Sequence, residues 1–145
     1  MRSPRVRDRV GVHAEHRGNP GKEEGPVTER TSAFDFPAFK DAFERKDAKR
    51  WAGFYAEDAE WIEYKPSAPP SDPVRMLGRE RIAGFLASLE GSGIEITLSD
   101  EVLGKERAAF SVEVTLPDGR RVLEHTIVHI ENGKIACQVD VEAWD

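Results

Sequence analysis

Apolar side chains recur every three or four residues in Phe36–Phe43, Trp51–Tyr55 and Ile82–Leu89 and every two residues from Ile94 to Leu98, so helices are expected early and strands late. Asp35 is suited to cap a helix whose first turn tolerates Pro37, and Phe36, Phe39 and Phe43 then fall on one stripe. Asp47 is a second cap, and Trp51, Phe54 and Tyr55, at i, i+3 and i+4, predict a second short amphipathic helix. Residues 59–64 carry β-type side chains with apolar character on both faces, which predicts a strand. Pro66, Pro69, Pro70 and Pro73 make residues 65–77 an irregular loop, of a length that often serves as a lid. A third helix opens near Arg79, presents Ile82, Phe85, Leu86 and Leu89 on one face, and stops at Gly91 and Gly93. Ile94, Ile96 and Leu98 then alternate with polar residues, and residues 106–116, 120–131 and 134–144 predict two hairpins. The expected order is α-α-β-α-β-β-β-β, an α+β fold.

Register decides which side chains meet, because a slip of one residue exchanges the two faces of a strand. In Leu116-Pro117-Asp118-Gly119-Arg120 the proline suits a type I turn and Gly119 supplies a left-handed residue, predicting a bulged three-residue loop. Val114 then faces Val122, Val112 faces Glu124, and Phe110 faces Thr126. Asn132-Gly133 fits either a tight two-residue turn or the bulged form. The bulged form sets Glu124 opposite Asp140, Thr126 opposite Gln138 and Val128 opposite Ala136, whereas the tight form turns His125 toward Asp140. With the bulged form, Glu124, Thr126, Gln138 and Asp140 share the helix-covered face with Phe110 and Val112. Buried carboxylates are costly unless paired or partly wet, and two that face each other repel, so at least one should hold its proton unusually tightly. The other face carries Leu123, His125, Ile127, His129, Cys137, Val139 and Val141, an apolar stripe that predicts a homodimer through the outer sheet face.

Composition narrows the function classes. The 145 residues, 39% of them apolar, suit one domain with one core. A net charge of -6 without a basic stripe argues against nucleic acid and anionic membrane as partners. Residues 1–31 are rich in Arg, Glu, Gly and Pro and poor in large apolar side chains, which predicts a disordered N-terminal extension ahead of a domain over residues 32–145. That extension is net +2 and the remainder net -8. The single cysteine, Cys137, rules out an internal disulfide and reads as a small hydrophobe in a reducing compartment, and no apolar run has membrane-spanning length, so the expected location is cytoplasmic. His125 and His129 lack a third ligand nearby, and His13 and His16 lie in the extension, so no metal is expected. No phosphate-cradling loop, nucleophile elbow or zinc spacing occurs, and no cofactor is expected.

The order of elements, the run of residues 47–64, the opening Leu77-Gly78-Arg79 and the ending from Glu131-Asn132-Gly133-Lys134-Ile135 to Asp140 resemble the SnoaL-like branch of the nuclear transport factor 2-like superfamily. The resemblance spans about residues 34–145 and implies a cone-shaped pocket between a curved mixed or antiparallel sheet and three N-terminal helices. It further implies a small hydrophobic ligand or substrate. Asp140 matches the last-strand aspartate that acts as acid or base in SnoaL-like cyclases and epoxide hydrolases, while the hydrolase Arg and Asp positions correspond to Phe110 and Val112. Against ketosteroid isomerases, Glu63 aligns with the base, Phe39 with the oxyanion-hole tyrosine and Thr126 with the protonated aspartate. The expected proton-transfer groups are therefore Asp140, Glu63 and Glu124, with Phe39, Trp61, Phe110, Val112, Thr126 and Gln138 lining the pocket. An isomerase or cyclase type of enzyme is one expectation. The other is a non-catalytic dimeric binding or accessory module, since most enolate-stabilising donors of the isomerases are replaced. A cation or amine drawn to clustered acids is held in reserve.

Overall fold

A computed structural model describes residues 33–145. The expectation of a disordered extension over residues 1–31, with its His13 and His16, lies outside the described residues. Asp35 caps α1 (Phe36–Glu44), its carboxylate accepting the Ala38 N–H at 3.0 Å, and Pro37 sits in the first turn. Asp47 caps α2 (Ala48–Ala52) through the Arg50 N–H at 3.3 Å. The strand β1 (Tyr55–Tyr64) follows, then β2 (Val74–Leu77), α3 (Arg79–Leu89), β3 (Glu95–Leu103), β4 (Arg107–Thr115), β5 (Arg121–Glu131) and β6 (Lys134–Trp144). The six strands form one sheet in the order β2-β1-β6-β5-β4-β3. Only the β1–β6 contact is parallel, so the sheet is mixed.

Three expectations need correction. The second helix stops at Ala52 rather than reaching Tyr55, because the Phe54 carbonyl accepts the Ile135 N–H at 2.8 Å and Tyr55 pairs with Ile135 of β6. Sheet pairing outweighs helical spacing there. The proline loop is also shorter than expected: its last residues form the edge strand β2, which the prolines do not interrupt, pairing antiparallel with Glu60 to Glu63 of β1. The order is thus α-α-β-β-α-β-β-β-β.

The third correction concerns register. The turn after Leu116 follows expectation, with Gly119 at φ 88° and Val114–Val122, Val112–Glu124 and Phe110–Thr126 paired. At Asn132-Gly133 the turn is the tight form, both residues having positive φ (51° and 73°) and Glu131 pairing with Lys134. A β-bulge follows, since Ile130 pairs with Ile135 but His129 with Cys137, leaving Ala136 as the extra residue. The bulge restores the facing that the tight turn alone would reverse. Thr126 is therefore opposite Asp140, Glu124 opposite Glu142 and Val128 opposite Gln138, two positions from the expected partners but on the expected face. The pairing of Glu124 with Asp140 does not occur.

The helices cover that face. Phe39 is fully buried among Phe34, Phe36, Phe43, Phe54 and Phe110, with ring centroids 5.4–5.9 Å apart, and Ile82 and Leu86 bury the inner side of α3. Burying side chains of this size contributes about 1.5–3 kcal/mol each. The opposite face remains open: Leu123, Ile127 and Val141 are 46%, 47% and 55% exposed.

Candidate functional site

β1 and β6 run parallel side by side, so Trp61 lies next to Gln138 and Glu63 next to Asp140. The alternation of strand side chains turns Trp61, Glu63, Gln138 and Asp140 inward together. β5 adds Thr126 and Glu124 from the other side of β6. The acidic groups meet because three neighbouring strands each place a carboxylate on the covered face within two residues of Asp140's level.

Asp140 is 1% exposed, and its two oxygens are held by three donors. Trp61 Nε1–H donates to Oδ2 at 2.7 Å, Thr126 Oγ1–H to Oδ1 at 2.9 Å, and Gln138 Nε2–H to Oδ1 at 3.1 Å. The Tyr55 hydroxyl closes the chain by donating to Gln138 Oε1 at 2.5 Å. Burial raises the Asp140 pKa to about 7, the three hydrogen bonds opposing that rise and the charge of Glu63 adding to it. Burial likewise pushes the Tyr55 phenol well above its ordinary value, against a lowering influence from the nearby Trp51 indole.

In front of this network lies a cavity of about 220 Å³. Its apolar wall includes Phe43, Trp51, Trp61, Phe85, Ile96 and Val112, and its polar groups are Glu63, Glu124, Glu142 and Lys65. Glu63 is 4% exposed, and its Oε2 accepts from Lys65 Nζ at 2.6 Å. Burial disfavours the Lys65 charge, but the hydrogen bond and charge of Glu63 outweigh it and raise the Lys65 pKa. Glu142 accepts from Trp144 Nε1–H at 2.8 Å and is raised chiefly by burial. Glu124 is mostly buried and gains no hydrogen bond from the described residues; burial, then the charges of Asp140, Glu142 and Glu63, push its pKa to about 9. At neutral pH Glu124 is therefore a carboxylic acid inside an apolar hollow.

Of the expected site residues, Glu63, Glu124, Trp61 and Val112 line the cavity. Asp140, Thr126 and Gln138 form the hydrogen-bonded layer behind Trp61, and Phe39 and Phe110 belong to the aromatic core, so these five are not among its lining residues. Sequence reasoning missed Glu142, Lys65 and Trp51. Glu142 was within reach of strand alternation, being two residues beyond Asp140 on the same face. Oxygens of Glu63, Asp140 and Glu142 lie within 4.8 Å of one another, a spacing that one cation can share. Among the described residues no helix is long and apolar enough to cross a membrane, and Cys137 is half-buried and free.

A curved, unclosed sheet whose helices roof an acid-lined hollow defines the class: a nuclear transport factor 2-like α+β fold. The chain belongs to the SnoaL-like domain family, whose profile matches residues 36–138. A search of curated protein sequences returns no match. Among solved structures, the fold is similar to a nuclear transport factor 2-like protein of unknown function from Mesorhizobium loti, with TM-score 0.65 and 18% identity over 74% of this chain and 87% of that one. It is similar also to a protein named as a candidate ketosteroid isomerase from Kribbella flavida, with TM-score 0.61 and 20% identity over 76% of this chain and 74% of that one. A third, named as a candidate polyketide cyclase, from Xanthomonas campestris pv. campestris, has TM-score 0.53 and 22% identity over 73% and 85%. At such identities the likeness concerns the fold.

Proposed function

We propose that this protein binds a small, largely apolar molecule in the 220 Å³ cavity and transfers a proton on it, as an isomerase or cyclase type of enzyme. The observation that carries this reading is the placement of two carboxyl groups, Glu63 and Glu124, on the wall of one largely apolar cavity, where burial pushes the Glu124 pKa up. A carboxyl group that keeps its proton and a carboxylate held by an ammonium, both on one cavity wall, can serve as acid and base. Glu124 then donates a hydrogen bond or proton to a ligand oxygen, and Glu63, whose Oε1 has no side-chain donor, accepts a proton from an adjacent carbon. Asp140 is assigned a positioning role, because Trp61, Thr126 and Gln138 already engage both its oxygens.

The test is exchange of the α-protons of 2-methylcyclohexanone into D₂O, followed by proton NMR with the full chain. Catalysed exchange that falls at least tenfold in Glu63→Gln and in Glu124→Gln supports the assignment. Exchange at the buffer rate with the unsubstituted protein refutes proton transfer on such ketones.

A second reading has its own observation. The exposed Leu123, Ile127 and Val141 make the outer sheet face suitable for a second copy, which favours a dimeric binding or accessory module. Sedimentation that gives a monomer at every concentration would contradict the dimer.

A further inference from the structure

The 220 Å³ cavity is open at one end. β1 and β6 run parallel and finish at the same end of the sheet, at Tyr64 and Trp144. Trp144 lines the cavity yet is 44% exposed, so the cavity meets solvent there. A second hollow begins at this end, an open groove of about 630 Å³ along the proline loop, walled by Tyr64, Pro66, Ala68, Pro69 and Pro70. Lys65 and Glu142 line both hollows. Each of these two side chains is drawn to a partner of its own, Lys65 to Glu63 at 2.6 Å and Glu142 to the Trp144 indole N–H at 2.8 Å. Cavity and groove therefore adjoin, with two charged side chains at the junction.

The groove wall restricts what it can hold. A proline nitrogen has no hydrogen to donate, so Pro66, Pro69 and Pro70 offer a ligand ring carbons in place of amide donors. Two turns use further amide hydrogens within the loop, Ala68 N–H donating to the Lys65 carbonyl at 3.1 Å and Asp72 N–H to the Pro69 carbonyl at 2.9 Å. A polar chain lying here would give up hydrogen bonds to water and regain few, whereas a hydrocarbon chain gains by leaving water. The fixed proline angles also set the shape of the wall before a ligand arrives, which keeps the cost of ordering low. Size points the same way. An apolar cavity of about 150 Å³ takes benzene, so this one suits one ring with a small substituent, and anything longer must leave by the open end.

We infer that the ligand is elongated: a ring bearing the carbonyl group occupies the cavity, and an unbranched apolar tail passes Lys65 and Glu142 to lie along Tyr64, Pro66, Pro69 and Pro70. This deepens the proposed function, and rests on its reading that the cavity is the ligand site. The groove is a second subsite, which adds affinity with tail length and takes no part in proton transfer.

The experiment titrates the full chain with 2-methylcyclohexanone and with 2-hexylcyclohexanone, read by tryptophan fluorescence, since Trp51, Trp61 and Trp144 all line the cavity. The hexyl ketone is expected to bind about tenfold more tightly or better, a ratio that burial of two added methylenes is enough to give. Greater hydrophobicity alone would also favour the longer ketone, so variants of the groove decide. Ala68→Phe fills the groove, and Ser67→Glu places a charge on its exposed rim without disturbing packing. Each should lower the ratio of the two affinities by about fivefold or more. A ratio that is unchanged in both variants, or no preference for the hexyl ketone in the unsubstituted chain, would overturn the elongated ligand while leaving the cavity as the ligand site. Binding of neither ketone would overturn that reading of the cavity as well.

Discussion

Replacing Glu124 with glutamine should stabilise this protein, and should do so in a pH-dependent way. The carboxyl group has a folded-state pKa of about 9, raised first by burial and then by Asp140, Glu142 and Glu63. In the unfolded chain a glutamate titrates near 4.3. Between those values the folded state binds more protons than the unfolded one, so the group costs stability progressively as pH rises from about 4.3 toward 9. At pH 7.5 roughly three units at about 1.4 kcal/mol each set an upper bound of about 4 kcal/mol; water in the cavity and relaxation of Glu124 reduce this to on the order of 2 kcal/mol. Glutamine keeps the shape and removes the charge that would otherwise have to form. Thermal unfolding of both proteins at pH 5, 7.5 and 9 measures the effect. The variant should melt about 5–10 °C higher at pH 7.5, more at pH 9, and nearly level with its parent at pH 5. A variant that is less stable at pH 7.5, or that differs by the same amount at every pH, would refute the placement of Glu124 among the other acids.

Three further outcomes follow from the geometry. Trp61→Phe removes the 2.7 Å donor that holds the Asp140 anion, so the Asp140 pKa should climb above its value of about 7, and carboxyl ¹³C titration checks it. Lys65→Met leaves Glu63 buried without its partner and should cost about 1–3 kcal/mol by urea unfolding. The raised Lys65 pKa means that this contribution is present throughout neutral pH and is lost only as pH climbs past the ordinary lysine value. Gly133→Ala forces a side chain onto φ 73° in the tight turn and should cost about 1–2 kcal/mol, seen as a lower melting temperature.

Much of the fold was legible because local and global preferences agree in it. The caps at Asp35 and Asp47, the apolar face of α3 and the Pro117-Asp118-Gly119 turn each follow from short-range chemistry, and the structure keeps them. The departures arise where distant strands decide. Tyr55 has helical spacing with Trp51, yet its pairing with Ile135, eighty residues later in the chain, draws it into β1. The bulge at Ala136 has no glycine or proline to announce it, so the exact partner of Asp140 was hidden even though its face was not. Glu124 and Asp140 were expected as inward-facing acids from alternation together with the bulged reading of the Asn132-Gly133 turn; the turn is tight, and the bulge at Ala136 keeps both on that face. Which of them fronts the cavity depends on Trp61, whose indole packs between Tyr55 and Phe85 and screens Asp140 while leaving Glu124 at the wall.

The most direct measurement is a carboxyl ¹³C NMR titration of the glutamate-labelled chain, with Glu124→Gln as the assignment control. One glutamate signal, absent from the variant, should stay protonated through neutral pH and titrate near 9. If every glutamate titrates in the ordinary range near 4.3, Glu124 faces bulk water and the acid-lined hollow does not exist.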